Sequence, residues 1–297
     1  MPANPRRGPD PTAARLRALR RVSPDLEEAA RVYGSLLPLL RDAVSRAAPA
    51  PLDAGQARTK MAAGRPLLRD LALELDLDAL QELMCQLARA LEGPRPPARK
   101  AAPGWSPAGR GGSARRVRVA LELGRLDVGA LLKHVAAGDR DAVAASAGGL
   151  DLDAELLWVL AENALKPSLR AWRAQLSPMV EGVPWHRGSC FVCGARAALG
   201  ELQGNARARH LRCGLCGSDW PVRRMQCPFC GNEGHATQRL LYAEGCRETQ
   251  RVEACDVCRR YVKVIAAHDP TPPELVAVED LATLHLDRIA ERNGYSR

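Results

Sequence analysis

Residues 190–194 read CFVCG, 213–217 read CGLCG, 227–231 read CPFCG and 255–258 read CDVC. A Cys-x-x-Cys pair closed by Gly is a metal knuckle: its tight turn brings two sulfurs to one side, and the glycine lets amide N–H groups point at the thiolates. One pair supplies half of a tetrahedral site, so four pairs supply two sites. The candidate ligands are Cys190, Cys193, Cys213, Cys216, Cys227, Cys230, Cys255 and Cys258. Sequential partition joins the first pair to the second and the third to the fourth, across stretches of 19 and 24 residues. Each stretch is long enough for a hairpin that returns the chain to the metal. An interleaved partition, first with third and second with fourth, satisfies the same spacing. Gly194, Gly217 and Gly231 follow their pairs but Arg259 follows the fourth, which predicts a less regular last knuckle.

Zinc and iron both accept four tetrahedral thiolates. Zinc makes such a site a closed structural staple, whereas iron in the same cage can cycle between ferric and ferrous states. The N-terminal stretch MPANPRRGPDPTAARLRALRR has no apolar run of the secretory type, and no window of about 18 apolar residues is present to cross a bilayer. A cytoplasmic location is therefore expected, and a reducing cytosol favours metal ligation over disulfides. Nine of the ten cysteines lie between Cys190 and Cys258. Cys246, after Gly245 in an expected turn, reads as an incidental small residue, and Cys85 as an apolar position of a helix.

The formal net charge of +9 raises the alternative of a zinc-ribbon nucleic-acid-binding protein. Eight thiolates around two divalent ions lower that total to +5, or to +7 around two ferric ions. The basic residues are scattered, with no long basic block, and only Phe191, Trp220 and Phe229 lie near the knuckles for stacking on bases. A nucleic-acid partner is not the favoured reading.

A chain of 297 residues has room for about two domains. Residues 1–12 read as a disordered tail and 13–183 as a helical domain. Ser23 and Pro24 open a helix that Pro38 is expected to bend or end. Leu80, Leu83, Met84, Leu87 and Leu91 recur at helical spacing, with Gly93 and Pro94 as stop signals. Residues 91–116, dense in Pro, Gly and Arg, read as a long surface loop. Helical periodicity resumes over 127–139 and 151–176, where His134 has no second ligand type near it. Residues 184–222 and 223–270 form a first and a second four-cysteine ribbon, with QRLLYAE and RRYVKVIAAH as short strands. Residues 271–297 form a C-terminal helix that Thr271 caps and Glu274 closes as a capping box. Leu275, Val278, Leu281, Ala282, Leu286 and Ile289 mark its docking face, with His285 among them. Glu279, Asp280, Asp287 and Glu291 mark the opposite face.

The succession CFVCG, RHLRCGLCGSDWPVRRMQCPFCG, EACDVCRRYVKV and VEDLATLHLDRIAERNGYSR closely resembles the formate dehydrogenase accessory protein FdhE family. The resemblance rests on Trp220 close behind a knuckle, on Tyr261 three residues after Cys258, and on the acidic EDLATLxLD of the last helix. It covers residues 185–297, while over 10–180 only helical character and domain order agree. Phe191 stands where the family usually has Pro, and His210 where Tyr is common. The resemblance implies a cytoplasmic, non-catalytic protein that matures respiratory formate dehydrogenase, a molybdenum or tungsten enzyme with iron–sulfur clusters, by binding its catalytic subunit. It implies two rubredoxin-type sites, with iron favoured and zinc as the other metal. The expected client surfaces are the terminal helix and the groove between the helical and metal-bearing parts, and self-association is left open. The chain shows no Walker loop and no Ser-His-Asp set, so it is not read as an enzyme. The expected fold class is α+β, an all-helical N-terminal domain followed by two small rubredoxin-like or zinc-ribbon modules and a C-terminal helix.

Overall fold

The computed structural model describes residues 11–20, 24–43, 52–71, 73–92 and 107–297. Eight helices come first: α1 (Pro11–Arg20), α2 (Pro24–Asp42), α3 (Ala54–Ala62), α4 (Leu77–Glu92), α5 (Pro107–Glu122), α6 (Val128–Ala137), α7 (Arg140–Gly148) and α8 (Ala154–Leu176). Six strands follow: β1 (Leu199–Gln203), β2 (Ala208–Arg212), β3 (Asp219–Pro221), β4 (Gln238–Leu241), β5 (Gln250–Cys255) and β6 (Tyr261–Ala267). Two short helices, α9 (Val276–Ala282) and α10 (Leu284–Arg292), end the chain. The fold class is α+β.

The chain divides into two compact units that do not follow the expected boundary at 183/184. One holds the described residues among 35–50 and 72–172, and the other those among 1–34, 51–71 and 173–297. In the first unit α4 and α5 pack through Leu83, Met84 and Leu87 on one side and Ala114, Val117 and Leu121 on the other, all buried. Residues 107–116 are therefore helix rather than the expected loop. The three glycines that argued for a loop cost helix propensity, but Gly111 has no side chain to hold off the Glu92 carbonyl, 3.4 Å from where a Cβ would stand. Arg118 pairs with Glu92 at 2.6 Å, and Arg89 with Glu122 at 2.7 Å. Asp127 caps α6, whose C-terminal Gly138 is left-handed at φ 78°. Helix α2 runs through Pro38 without ending: one lost hydrogen bond costs about 3 kcal/mol, and burial of Leu36, Leu37 and Leu40 offsets it. Ser23, Gly93, Pro94 and residues 1–10 of the expected tail lie outside the described residues, while Thr12 is a buried residue of α1.

In the second unit the two ribbons are not separate modules. Strands β1–β3 and β4–β6 each form an antiparallel meander, and parallel pairing of β1 with β6 fuses them into one sheet of order β3-β2-β1-β6-β5-β4. At this seam Gly200 faces Val264, and a Cβ on Gly200 would stand 2.9 Å from Val264 Cγ2. Segments from the first third of the chain join this unit: the N–H groups of Leu67 and Leu68 donate to the carbonyls of Phe191 and Val192 in the first knuckle, and the Tyr33 hydroxyl donates to the Glu274 carbonyl ahead of α9.

The C-terminal segment is two helices broken at Thr283, and the expected capping box is absent. Thr271 instead gives its N–H to the Glu201 carboxylate and its carbonyl to Arg212, so it serves the sheet. Leu286, Ala290 and Tyr295 dock on Val252, Ala254 and Tyr261, with Ile289 and Leu241 at the edge. His285 is half-buried. Replacing Gly200 by Ala should cost about 1–3 kcal/mol in urea unfolding through overpacking at the seam. Adding Val264→Ala should make the pair of substitutions less costly than the sum of the two single ones.

Candidate metal centres

The structure gathers the eight cysteines sequentially. Cys190, Cys193, Cys213 and Cys216 bring their sulfurs within 4.8 Å of one another, and so do Cys227, Cys230, Cys255 and Cys258. Contacts across each cage are 3.4 Å for Cys190–Cys216, 3.5 Å for Cys193–Cys213, and 3.7 Å for both Cys227–Cys258 and Cys230–Cys255. These are far longer than the disulfide bond of about 2.05 Å. They match the edge of a tetrahedron whose centre lies about 2.3 Å from each sulfur, which is about 3.8 Å.

All four knuckles share one hydrogen-bond pattern. The amides of Gly194, Gly217, Gly231 and Arg259 donate to the carbonyls of Cys190, Cys213, Cys227 and Cys255. The amides of those four cysteines donate in turn to the carbonyls of Ala195, Ser218, Asn232 and Arg260. The turn needs a left-handed residue, met at φ 80°, 74° and 76° by the glycines and at 57° by Arg259. The expected irregularity of the last knuckle is therefore absent. Arg259 is held there by its side chain, which donates to the carbonyls of Asn293 and Gly294 and lies 4.3 Å from the centre of the Tyr295 ring. The Ser296 amide also donates to the Arg259 carbonyl.

Electrostatics require a partner for these sulfurs. Burial raises the Cys190 thiol well above its usual range, and hydrogen bonds from its neighbours together with burial raise Cys193. Burial opposes ionisation of Cys216 too, but contacts with Cys190, Cys193, Cys213 and Ser218 outweigh it and lower that thiol strongly. In the second cage burial raises Cys227 and Cys258. Burial also acts on Cys255, where the amides of Cys258 and Val257 and the Cys230 and Cys227 thiols outweigh it and bring the thiol to about 7. Ionisation is thus favoured at Cys216 and at Cys255, and four thiolates in one cage need a cation to share their charge. The donor sets fit a four-coordinate zinc or iron ion.

Around the centres lie buried charges that the sequence did not reveal. Arg212 and Glu201, 2% and 0% exposed, pair at 2.7 Å. Asp219 joins them, and its carboxylate binds His210 Nδ1 at 2.6 Å. Buried Lys263 pairs with Asp280 at 2.7 Å and Asp287 at 2.6 Å, while the Tyr261 hydroxyl donates to Asp287 at 2.7 Å. Glu279 binds Arg15 of α1 at 2.5 Å. Three acids assigned to the outer face of the last helix therefore point inward: Asp280 and Asp287 meet Lys263, which would otherwise be buried alone, and Glu279 meets the half-exposed Arg15. Arg209 pairs with Glu253 at 2.8 Å and donates to the carbonyls of Arg223 and Gln226, tying β2 to the third knuckle. Arg209, Arg212 and Lys263 thus spend their charge inside the unit.

Trp220 is buried, donates its indole N–H to the Arg187 carbonyl, and stands edge-on to Phe191. Cys246 lies in a turn, its carbonyl accepting from Thr249 and Gln250, and Cys85 is buried in α4. His134 sits 3.5 Å from Asp139 and belongs to neither four-cysteine group. Among the described residues no helix is long and apolar enough to cross a membrane.

Fold and cages together define a helical protein carrying two four-thiolate sites on one sheet. Residues 225–297 match the family described as FdhE, C-terminal domain. The chain is 33% identical over 108 residues to a Protein FdhE homolog of Shewanella baltica (strain OS185), covering 36% of this chain and 35% of that protein. It is 35% identical over 113 residues to Protein FdhE of Escherichia coli O127:H6 (strain E2348/69 / EPEC), again covering 36% and 35%. These alignments span about a third of the relatives' own length. The crystal structure of the FdhE protein from Pseudomonas aeruginosa superposes with a TM-score of 0.64 at 24% identity, covering 96% of this chain and 92% of that one, a likeness of fold. Residues 225–297 are thus similar to the C-terminal domain of FdhE, and the whole chain shares the fold of an FdhE protein.

An Arg259→Gly chain should be more stable than Arg259→Ala by about 1 kcal/mol, because both lose the side-chain contacts and only Ala bears the left-handed strain. Thermal unfolding of the two variants under identical metal loading measures the difference.

Proposed function

We propose that this protein is a cytoplasmic assembly factor for respiratory formate dehydrogenase that binds the enzyme's catalytic subunit before the enzyme is complete. The observation that carries this reading is the pair of four-sulfur cages on a single sheet in a chain whose residues 225–297 match the FdhE C-terminal domain. Each cage spends all four donors on one ion, which suits a structural or electron-storing centre rather than an open catalytic one. Cys190, Cys193, Cys213 and Cys216 would hold one ion, and Cys227, Cys230, Cys255 and Cys258 the other. Iron of the rubredoxin type is the favoured metal, and it would supply a one-electron couple beside the client. The internal pairing of Arg212, Arg209, Lys263 and Arg15 leaves the nucleic-acid alternative with less support than the net charge gave it.

Protein prepared without oxygen and then exposed to air should show ferric-thiolate absorption and should co-purify with the catalytic subunit of a formate dehydrogenase. Replacing both members of a Cys-x-x-Cys pair by Ala should abolish that co-purification. Full client binding by a chain proven to have lost both metals would remove the centres from recognition. Colourless protein carrying zinc would reduce them to staples.

A further inference from the structure

The two cages differ in what covers them. In the first knuckle Phe191 and Val192 are 8% and 0% exposed and lie under the Leu67–Leu68 segment. A Cβ on Gly194 would stand 3.3 Å from Pro66 Cγ, and one on Gly217 only 2.4 Å from Pro273 Cβ. Cys190, Cys213 and Cys216 are sealed, and Cys193 is half-buried. The second cage is open on one side. A Cβ on Gly231 would meet nothing within 4 Å, Val257 at the tip of the last knuckle is 61% exposed, and Met225 before the third is 52% exposed. Cys230 is exposed and Cys258 half-buried, whereas Cys227 and Cys255 are buried beneath them.

We infer that the second centre, and not the first, exchanges its metal with thiol-bearing ligands, and that exchange starts by displacement of Cys230. The inference rests on the reading that both cages hold metal. An incoming thiol must reach the ion beside a sulfur that can swing away, and Cys230 alone combines exposure with a neighbouring glycine free of contacts. The incoming sulfur bonds the metal and releases its proton, the bond from the metal to Cys230 breaks, and Cys230 takes up a proton. The oxidation state of the metal does not change, so no oxidant or reductant enters. Cys258 leaves next, and buried Cys227 and Cys255 hold the ion until a second thiol arrives. The ligand class that fits this sequence is a molecule or protein presenting paired thiols.

The test uses the full metal-loaded chain with dithiothreitol as the exchanging thiol, pyridylazoresorcinol to report released metal, and iodoacetamide pulses with peptide mapping. One equivalent should leave at least about tenfold faster than the other, the gap produced by a barrier difference of about 1.4 kcal/mol. Among the eight cage cysteines the earliest alkylation should fall on Cys230 and then Cys258, with Cys246, which belongs to neither cage, serving as the label's internal reference. Equal release rates, or early labelling of Cys190, Cys213 or Cys216, would overturn the inference. Total metal after acid denaturation is a separate count: a value below two per chain would overturn the two-centre reading itself.

Discussion

Eight cysteine sulfurs stand in two groups of four, each within 4.8 Å, closer than four thiolates can stand without a cation. Four thiols a few ångströms apart can share one negative charge through hydrogen bonds, as the lowered Cys216 and Cys255 show, but four thiolates need a cation. Once bound, that cation closes two loops of chain at once, because the members of each cage come from knuckles about twenty residues apart. The meanders between the knuckles are then short enough to be set in register by their own ends.

A second constraint joins the two halves. Small ribbons with so few large side chains bury little apolar surface by themselves. Here the β1–β6 seam makes one sheet of them, and Gly200 keeps the seam tight against Val264. Buried ion pairs lie on either side of this seam: Arg212 of β2 with Glu201 of β1, and Lys263 of β6 with Asp280 and Asp287 of the terminal helices. Such pairs add little net stability over apolar packing, yet removing one partner leaves a buried charge uncompensated, at about 3–5 kcal/mol. They therefore fix which helix sits on the sheet and in which orientation. The terminal helices act as an internal strut against the sheet.

The sequence was most legible where chemistry is local. Cys-x-x-Cys spacing identified all eight sulfurs that the structure brings together, and the periodicity of α4, α6 and α8 placed those helices because their apolar faces repeat every turn. It was least legible where a residue's role depends on distant partners. Asp287 and Glu279 looked like solvent-facing acids because Lys263 and Arg15 lie far off in the chain. Thr271 had the form of a helix cap, but its backbone is committed to Glu201 and Arg212. Arg259 looked like a fault in the last knuckle, since nothing local shows that the chain end would hold it in a left-handed turn. Lys263 had one readable signal, a lone cation in the strand YVKVIAA, whose first four residues are all buried.

The most direct measurement is amide hydrogen exchange across residues 199–267 of the metal-loaded chain, repeated after both ions are removed. If the cages organise the sheet, protection in β1–β6 should collapse on stripping, the β1–β6 seam included, while α4 and α5 keep theirs. Undiminished protection of all six strands in a chain shown to be metal-free would contradict the account.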